Sequence, residues 1–104
     1  MGEYFVHPRV NDNLWVIHNF IARRNPEAAD RVIDAAYRTF QALADQPGLG
    51  KPYSPRNRKI QGVRCRKIQG FENYQIFYRE VPGGIEVIRV YSRFRNISRL
   101  FRRE

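Results

Sequence analysis

The hydrophobic periodicities predict an α+β fold ordered strand-helix-helix-strand-strand-strand, a helical hairpin packed on a small antiparallel sheet. Two apolar stripes at helical spacing fill the first half, and three runs rich in β-branched and aromatic residues fill the second. Charge divides at the same place. Residues 1–50 carry five Lys/Arg against six Asp/Glu, and residues 51–104 carry fourteen against four, which leaves net −1 and net +10 within a total of +9. A length of 104 residues suits one domain, residues 1–104, with a single core.

Tyr4-Phe5-Val6-His7 reads as the first strand, and Pro8 ends its ladder because proline has no N–H to give. The same proline fits the first turn of a helix, where that donor is not needed. Val10, Leu14, Ile17 and Ile21 then recur at helical spacing, with Val16 and Phe20 widening the stripe, to an end near Arg24. Asn25-Pro26-Glu27 restarts the chain with a cap, a first-turn proline and an acid at the positive end of the helix dipole. In the second helix Ala29, Val32, Ile33, Ala36, Phe40 and Leu43 share one face. Small alanines allow close approach, and Gln46-Pro47-Gly48 ends the pattern.

A basic loop follows, punctuated by Gly48, Gly50, Pro52 and Pro55 and containing Lys51, Arg56, Arg58 and Lys59; this composition is expected to be mobile or bound to a partner. Strands are predicted at Val63–Gln69, Tyr74–Val81 and Ile85–Tyr91, the last two joined by the turn Pro82-Gly83-Gly84. Tyr74, Ile76 and Tyr78 alternate with Gln75, Phe77 and Arg79, so the middle strand is apolar on both faces and central. Residues 92–104 hold Ile97, Leu100 and Phe101 among five arginines, a pattern open to a short amphipathic helix or a strand.

Composition excludes several classes of function. The lone cysteine, Cys65, excludes an internal disulfide and a cysteine-based metal site. No metal and no cofactor are expected, because the basic half has no cluster of Asp or Glu and the two histidines, His7 and His18, both stand in the first half. Gly48-Leu49-Gly50-Lys51 is too short for a phosphate-cradling loop and follows a helix instead of a strand. No apolar run approaches the roughly 18 residues of a membrane span, so no membrane partner is expected. The first residues lack a signal-peptide pattern, and a cytoplasmic location is the expectation.

Three segments together carry a family resemblance: Ile21-Ala22-Arg23-Arg24-Asn25-Pro26-Glu27-Ala28-Ala29, then Phe40 through Gly50, and Tyr74-Gln75-Ile76-Phe77-Tyr78-Arg79 followed by Ile85-Glu86-Val87-Ile88-Arg89-Val90. In order and content the chain resembles the RelE/ParE superfamily of toxins from type II toxin-antitoxin modules. The helix-two segment and the Pro-Gly-Leu-Gly turn are similar to the ParE, or plasmid-stabilisation, branch, whose best-known members poison DNA gyrase. The RelE-like branch cleaves mRNA on the ribosome. Members of the ParE-like branch often carry a His-Gly-x-Arg-Asp segment after the last strand. Here Ser92 stands where His is frequent and Asn96 where Asp is frequent, while Arg95 is retained.

The resemblance implies a toxin that binds a cellular target such as gyrase and is neutralised by a cognate acidic antitoxin. Candidate partner-binding residues are Arg64, Arg66, Lys67, Arg79, Arg89, Arg93, Arg95 and Tyr53. An RNA-cleaving alternative needs a proton acceptor, a proton donor and cations for the phosphorane, and would use Lys67, Arg79, Tyr91 and Arg93. A basic domain without toxicity, binding an antitoxin or nucleic acid, is the third reading. His7 is expected at a helix entry, His18 on a helix surface, and Trp15 packed at the edge of the hairpin. Clustered guanidinium groups on the carboxy-terminal sheet and tail are expected to need an anionic partner.

Overall fold

The computed structural model describes residues 2–53 and 61–93. Strand β1 (Glu3–Val6) leads into helix α1 (Pro8–Ala22) and helix α2 (Pro26–Asp45). A 3₁₀ turn at Pro47–Leu49 precedes the two-residue strand β2 (Lys51–Pro52), and β3 (Val63–Ile68), β4 (Phe71–Val81) and β5 (Gly84–Ser92) follow. The α+β class and the order of the long elements match the expectation.

Both helices begin where local chemistry places them. The His7 Nδ1 accepts the Arg9 N–H at 3.2 Å, and the Asn25 Oδ1 accepts the Ala28 N–H at 3.1 Å, so each cap satisfies a donor the first turn would leave open. His18 lies on the helix surface as expected, and its Nε2 meets Asp30 Oδ1 at 3.0 Å, linking the two helices.

The sheet is mixed, which corrects the purely antiparallel expectation. Its order is β1-β5-β4-β3-β2, with β1 parallel to β5 and every other pair antiparallel. The helical hairpin covers one face between β1 and the remaining strands, so β1 lies beside the last strand in the same direction. Gly84 permits this closeness, since a Cβ there would sit 1.7 Å from the Glu3 carbonyl oxygen.

Two further boundaries differ. Strand β4 begins at Phe71, three residues before the predicted Tyr74, because Gln69-Gly70 makes a two-residue hairpin turn with Gly70 at φ +84. Part of the basic loop is held in place. The Tyr78 hydroxyl donates to the Pro47 carbonyl at 2.7 Å and accepts the Gly50 N–H at 2.8 Å, while Arg64 and Arg66 donate to the Gly50 and Leu49 carbonyls. Lys51–Pro52 can therefore pair with β3. The rest of that loop, 54–60, and the tail expectation over 94–104 lie outside the described residues.

The main core fills the space between the helices and one sheet face: Val10, Leu14 and Ile17 from α1, Val32, Ala36, Phe40 and Leu43 from α2, and Ile68, Ile76, Tyr78, Ile85, Val87 and Val90 from the sheet. A smaller core of Val63, Phe77, Ile88 and Tyr91, flanked by Tyr53 and Cys65, occupies the other face. The middle strand is thus central and apolar on both sides, as its alternation predicts. Strand β5 carries one extra residue, Ile88, between the pairs Tyr78–Val87 and Phe77–Arg89.

Candidate functional site

The strand register sorts the candidate residues into rows. On the face away from the helices, Lys67, Gln75 and Tyr91 form one row, Cys65, Phe77 and Arg89 the next, and Val63, Arg79 and Glu86 a third. Arg64 and Arg66 stand opposite Tyr78 and Ile76, residues of the main core, and so belong to the helix side of the sheet. The nearly consecutive Arg64, Arg66 and Lys67 are therefore divided between two faces by the period of two.

The guanidinium groups expected to cluster on the sheet are divided between its two faces among the described residues. Arg79 donates through Nε and Nη2 to Glu86 Oε1, both at 2.8 Å, so a cross-strand carboxylate already matches it. Arg89 is 1% exposed; its Nη1 donates to the Ile88 carbonyl at 2.6 Å and lies 3.1 Å from His7 Nδ1. That atom also accepts the Arg9 N–H, so His7 carries no proton on Nδ1 in this arrangement. Lys67 is exposed. Arg93 is exposed too, and its backbone N–H donates to the Asn73 carbonyl at 2.7 Å. Arg95 and Asn96 lie outside the described residues.

Tyr91 is 7% exposed and tilts against Phe77 at a centroid distance of 6.0 Å, with Tyr53 edge-on to the same Phe77 at 5.2 Å. Both tyrosines help to build the smaller core, where aromatic edges and faces attract. Cys65 is half-buried, and burial pushes its thiol up, against a smaller opposing pull from Lys51. A neutral thiol follows, in place of an activated one. Among the described residues no three of His, Cys, Asp and Glu gather where they could share a metal ion, and no described helix is long and apolar enough to cross a membrane.

Burial pushes the phenols of Tyr78 and Tyr74 up, and for Tyr78 this outweighs the Gly50 N–H and the nearby Arg64 and Arg66, which pull the other way. A raised folded-state value means that the neutral form is favoured in the fold. Its contribution is fully present below the unfolded value and is lost as pH rises through the folded one. Stability is therefore expected to decline from roughly pH 9 upward, as the Cys65 and then the tyrosine ranges are crossed. Urea denaturation at pH 8, 9.5 and 10.5 checks this; a flat midpoint across the series would contradict it.

One feature went unread in the sequence. Val16 and Phe20, taken as widening the core stripe, are 54% and 63% exposed, and Trp15, expected to pack at the edge, is 68% exposed. The core takes the Val10, Leu14 and Ile17 face of α1, with Ile21 packed against it. Val16 and Phe20 instead wall a groove of about 250 Å³ with Asn13, Ile17, Tyr74, Val90, Tyr91 and Ser92. A stripe wider than a two-layer core requires was the signal available.

The whole arrangement is a helical hairpin laid on one face of a five-stranded sheet whose late strands carry basic residues. The family model described as "ParE toxin of type II toxin-antitoxin system, parDE" matches residues 4–97, and the chain belongs to this family. It is similar to "Toxin RelE3" of Caulobacter vibrioides, with 30% identity over 84 residues covering 80% of this chain and 85% of that protein. Its fold is that of a chain in the solved structure "Chromosomal ParDE TA system from P. aeruginosa", with a TM-score of 0.71 and 17% identity over 88% of this chain and 96% of the other. The chain is thus a toxin of the RelE/ParE superfamily, and membership of a toxin-antitoxin family implies a cognate antitoxin.

Proposed function

We propose that the chain acts by binding a protein target, DNA gyrase, without a catalytic step, and that its acidic antitoxin neutralises it. The observation that carries this reading is the separation of the groups a nuclease would need. Lys67 and Tyr91 share a row, but Arg79 stands four residues along β4 from the Gln75 of that row, about 13 Å away at the usual rise per residue. Arg79 is held by Glu86, and Tyr91 has its ring in the smaller core. The Arg79 guanidinium and the Tyr91 hydroxyl then do not converge on one phosphate, as concerted proton transfer and charge stabilisation would demand of that pair. Purified chain added to gyrase with relaxed plasmid is expected to abolish supercoiling, and its cognate antitoxin to restore it. Unimpaired supercoiling at excess toxin would contradict the gyrase reading.

A second reading, a ribosome-dependent mRNA endonuclease of the RelE type, is favoured by the name of the Caulobacter relative and by the Lys67-Gln75-Tyr91 row. Under it, Arg79→Ala and Tyr91→Phe abolish transcript cutting. The reading of a basic domain without toxicity predicts unaffected growth on induction.

A further inference from the structure

We infer that the notch at the outer edge of β3 docks a short, extended, acidic segment of the target protein, which adds to the sheet as a strand beside Lys67; this rests on the protein-target reading above. Strand β3 is the last long strand on its side of the sheet, and β2 covers it at Lys51 opposite Cys65 and Pro52 opposite Arg64. The Tyr53 N–H donates to the Val63 carbonyl at 2.8 Å, which fixes the residues of β3 whose backbone groups face outward. Alternation then turns those of Val63, Cys65 and Lys67 to this edge and those of Arg64 and Arg66 to β4. Before Lys51 the chain rolls into the 3₁₀ turn at Pro47–Leu49, so among the described residues no strand stands opposite Lys67. An edge with open N–H and C=O groups is a template for a further strand.

The space beside that edge suits an extended chain. A notch of about 650 Å³ opens there, lined by Thr39, Ala42 and Leu43 of α2, by Leu49, and by the stretch from Cys65 to Gly70. Its far end is closed, because the Gln69 N–H already donates to Thr39 Oγ1 at 3.3 Å. From Cys65 to Gln69 is about 13 Å at the usual rise, room for three or four residues of strand. Backbone pairing over so short a length needs side-chain contacts beside it to give affinity and specificity. Leu49, 38% exposed, offers apolar surface for one of them.

Charge selects the chemistry. Lys51, Arg66 and Lys67 are exposed and line the notch, against a single acid, Glu72. Lys51 stands opposite Cys65, so the side chains of Lys51 and Lys67 share one sheet face and that of Arg66 takes the other. A residue set opposite Lys67, in line with β2, shares the face of both lysines, and a carboxylate there meets two ammonium groups. Its neighbours turn toward Arg66 and Leu49. Lysines at a sheet edge also repel the same edge of a second copy, so the cations that admit an acidic strand refuse another copy of this chain.

The test uses the full chain and purified gyrase, and reads the toxin concentration that half-inhibits supercoiling. Lys67→Glu is expected to raise it by about 30-fold or more, since it sets like charges together in the contact. Lys67→Ala removes the charge and keeps the N–H, for a rise of about fivefold, while Lys67→Pro removes both and should cost about tenfold beyond alanine. Higher salt should narrow the gap between parent and Lys67→Ala and leave the gap between alanine and proline. Proline is tolerated where an edge strand turns its N–H outward, so circular dichroism should show a native fold for all three variants. Equal inhibition by the parent and the folded Lys67→Glu and Lys67→Pro chains would overturn the docking. Proline no worse than alanine would overturn strand addition in favour of charge alone. Variants that inhibit gyrase as the parent does, but escape the cognate antitoxin, would overturn it in favour of the antitoxin as occupant. A parent chain that leaves supercoiling intact would overturn the reading beneath it, a result distinct from a parent and variants that inhibit equally.

Discussion

Truncating Phe40 to alanine is expected to lower the free energy of unfolding by about 3–5 kcal/mol, because it leaves a cavity where α2, β1 and the sheet meet. Phe40 is fully buried, and its ring touches Tyr4 at 5.8 Å and Tyr37 at 5.2 Å between centroids. Losing it removes packing on strand, helix and sheet together, while the partly exposed Tyr37 offers no comparable volume to refill the space. Urea denaturation followed by far-ultraviolet circular dichroism measures the change. A loss below about 1 kcal/mol would mean that the hairpin is not seated on the sheet through this residue.

Arg89→Ala is expected to cost stability, about 2–4 kcal/mol, and to leave the affinity of the folded protein for its partner unchanged. The side chain is buried and donates to the Ile88 carbonyl at the bulge, so its removal takes that donor away and leaves a space beside His7. Arg79→Ala should lose less than about 1 kcal/mol, since its pair with Glu86 is nearer the surface and screened by water. A stable Arg89→Ala chain with impaired binding would return Arg89 to the interface and contradict the buried role. The contrast separates two arginines that the strand pattern alone presents as equivalent.

Much of the fold was legible because its signals are local. Pro8 and Pro26 with their caps, the Val32-Ala36-Phe40-Leu43 face and the two-sided apolarity of β4 each need only a few neighbouring residues to be read. The parallel pairing of β1 with β5 joins residues some eighty positions apart and is announced only by a glycine, Gly84, that other turns also use. The latch from Tyr78 to Pro47 and Gly50 is likewise non-local: a strand tyrosine does not disclose which carbonyl its hydroxyl will find. The charge excess of the second half was plain, but its arrangement was not. Alternation sends Arg64 and Arg66 to one face and Lys67 to the other, and whether Arg79 meets a solvent, a partner or Glu86 depends on register. The groove on α1 was visible only as a stripe too wide, with nothing in the helix itself to say which margin the core would refuse.

The claim that this toxin binds its target and leaves RNA intact is tested most directly by mapping transcript 5′ ends in bacteria shortly after induction. Growth should stop with the pattern of ends matching that of uninduced cells. New ends recurring within translated regions, lost in a Tyr91→Phe chain, would contradict the binding mechanism and establish cleavage.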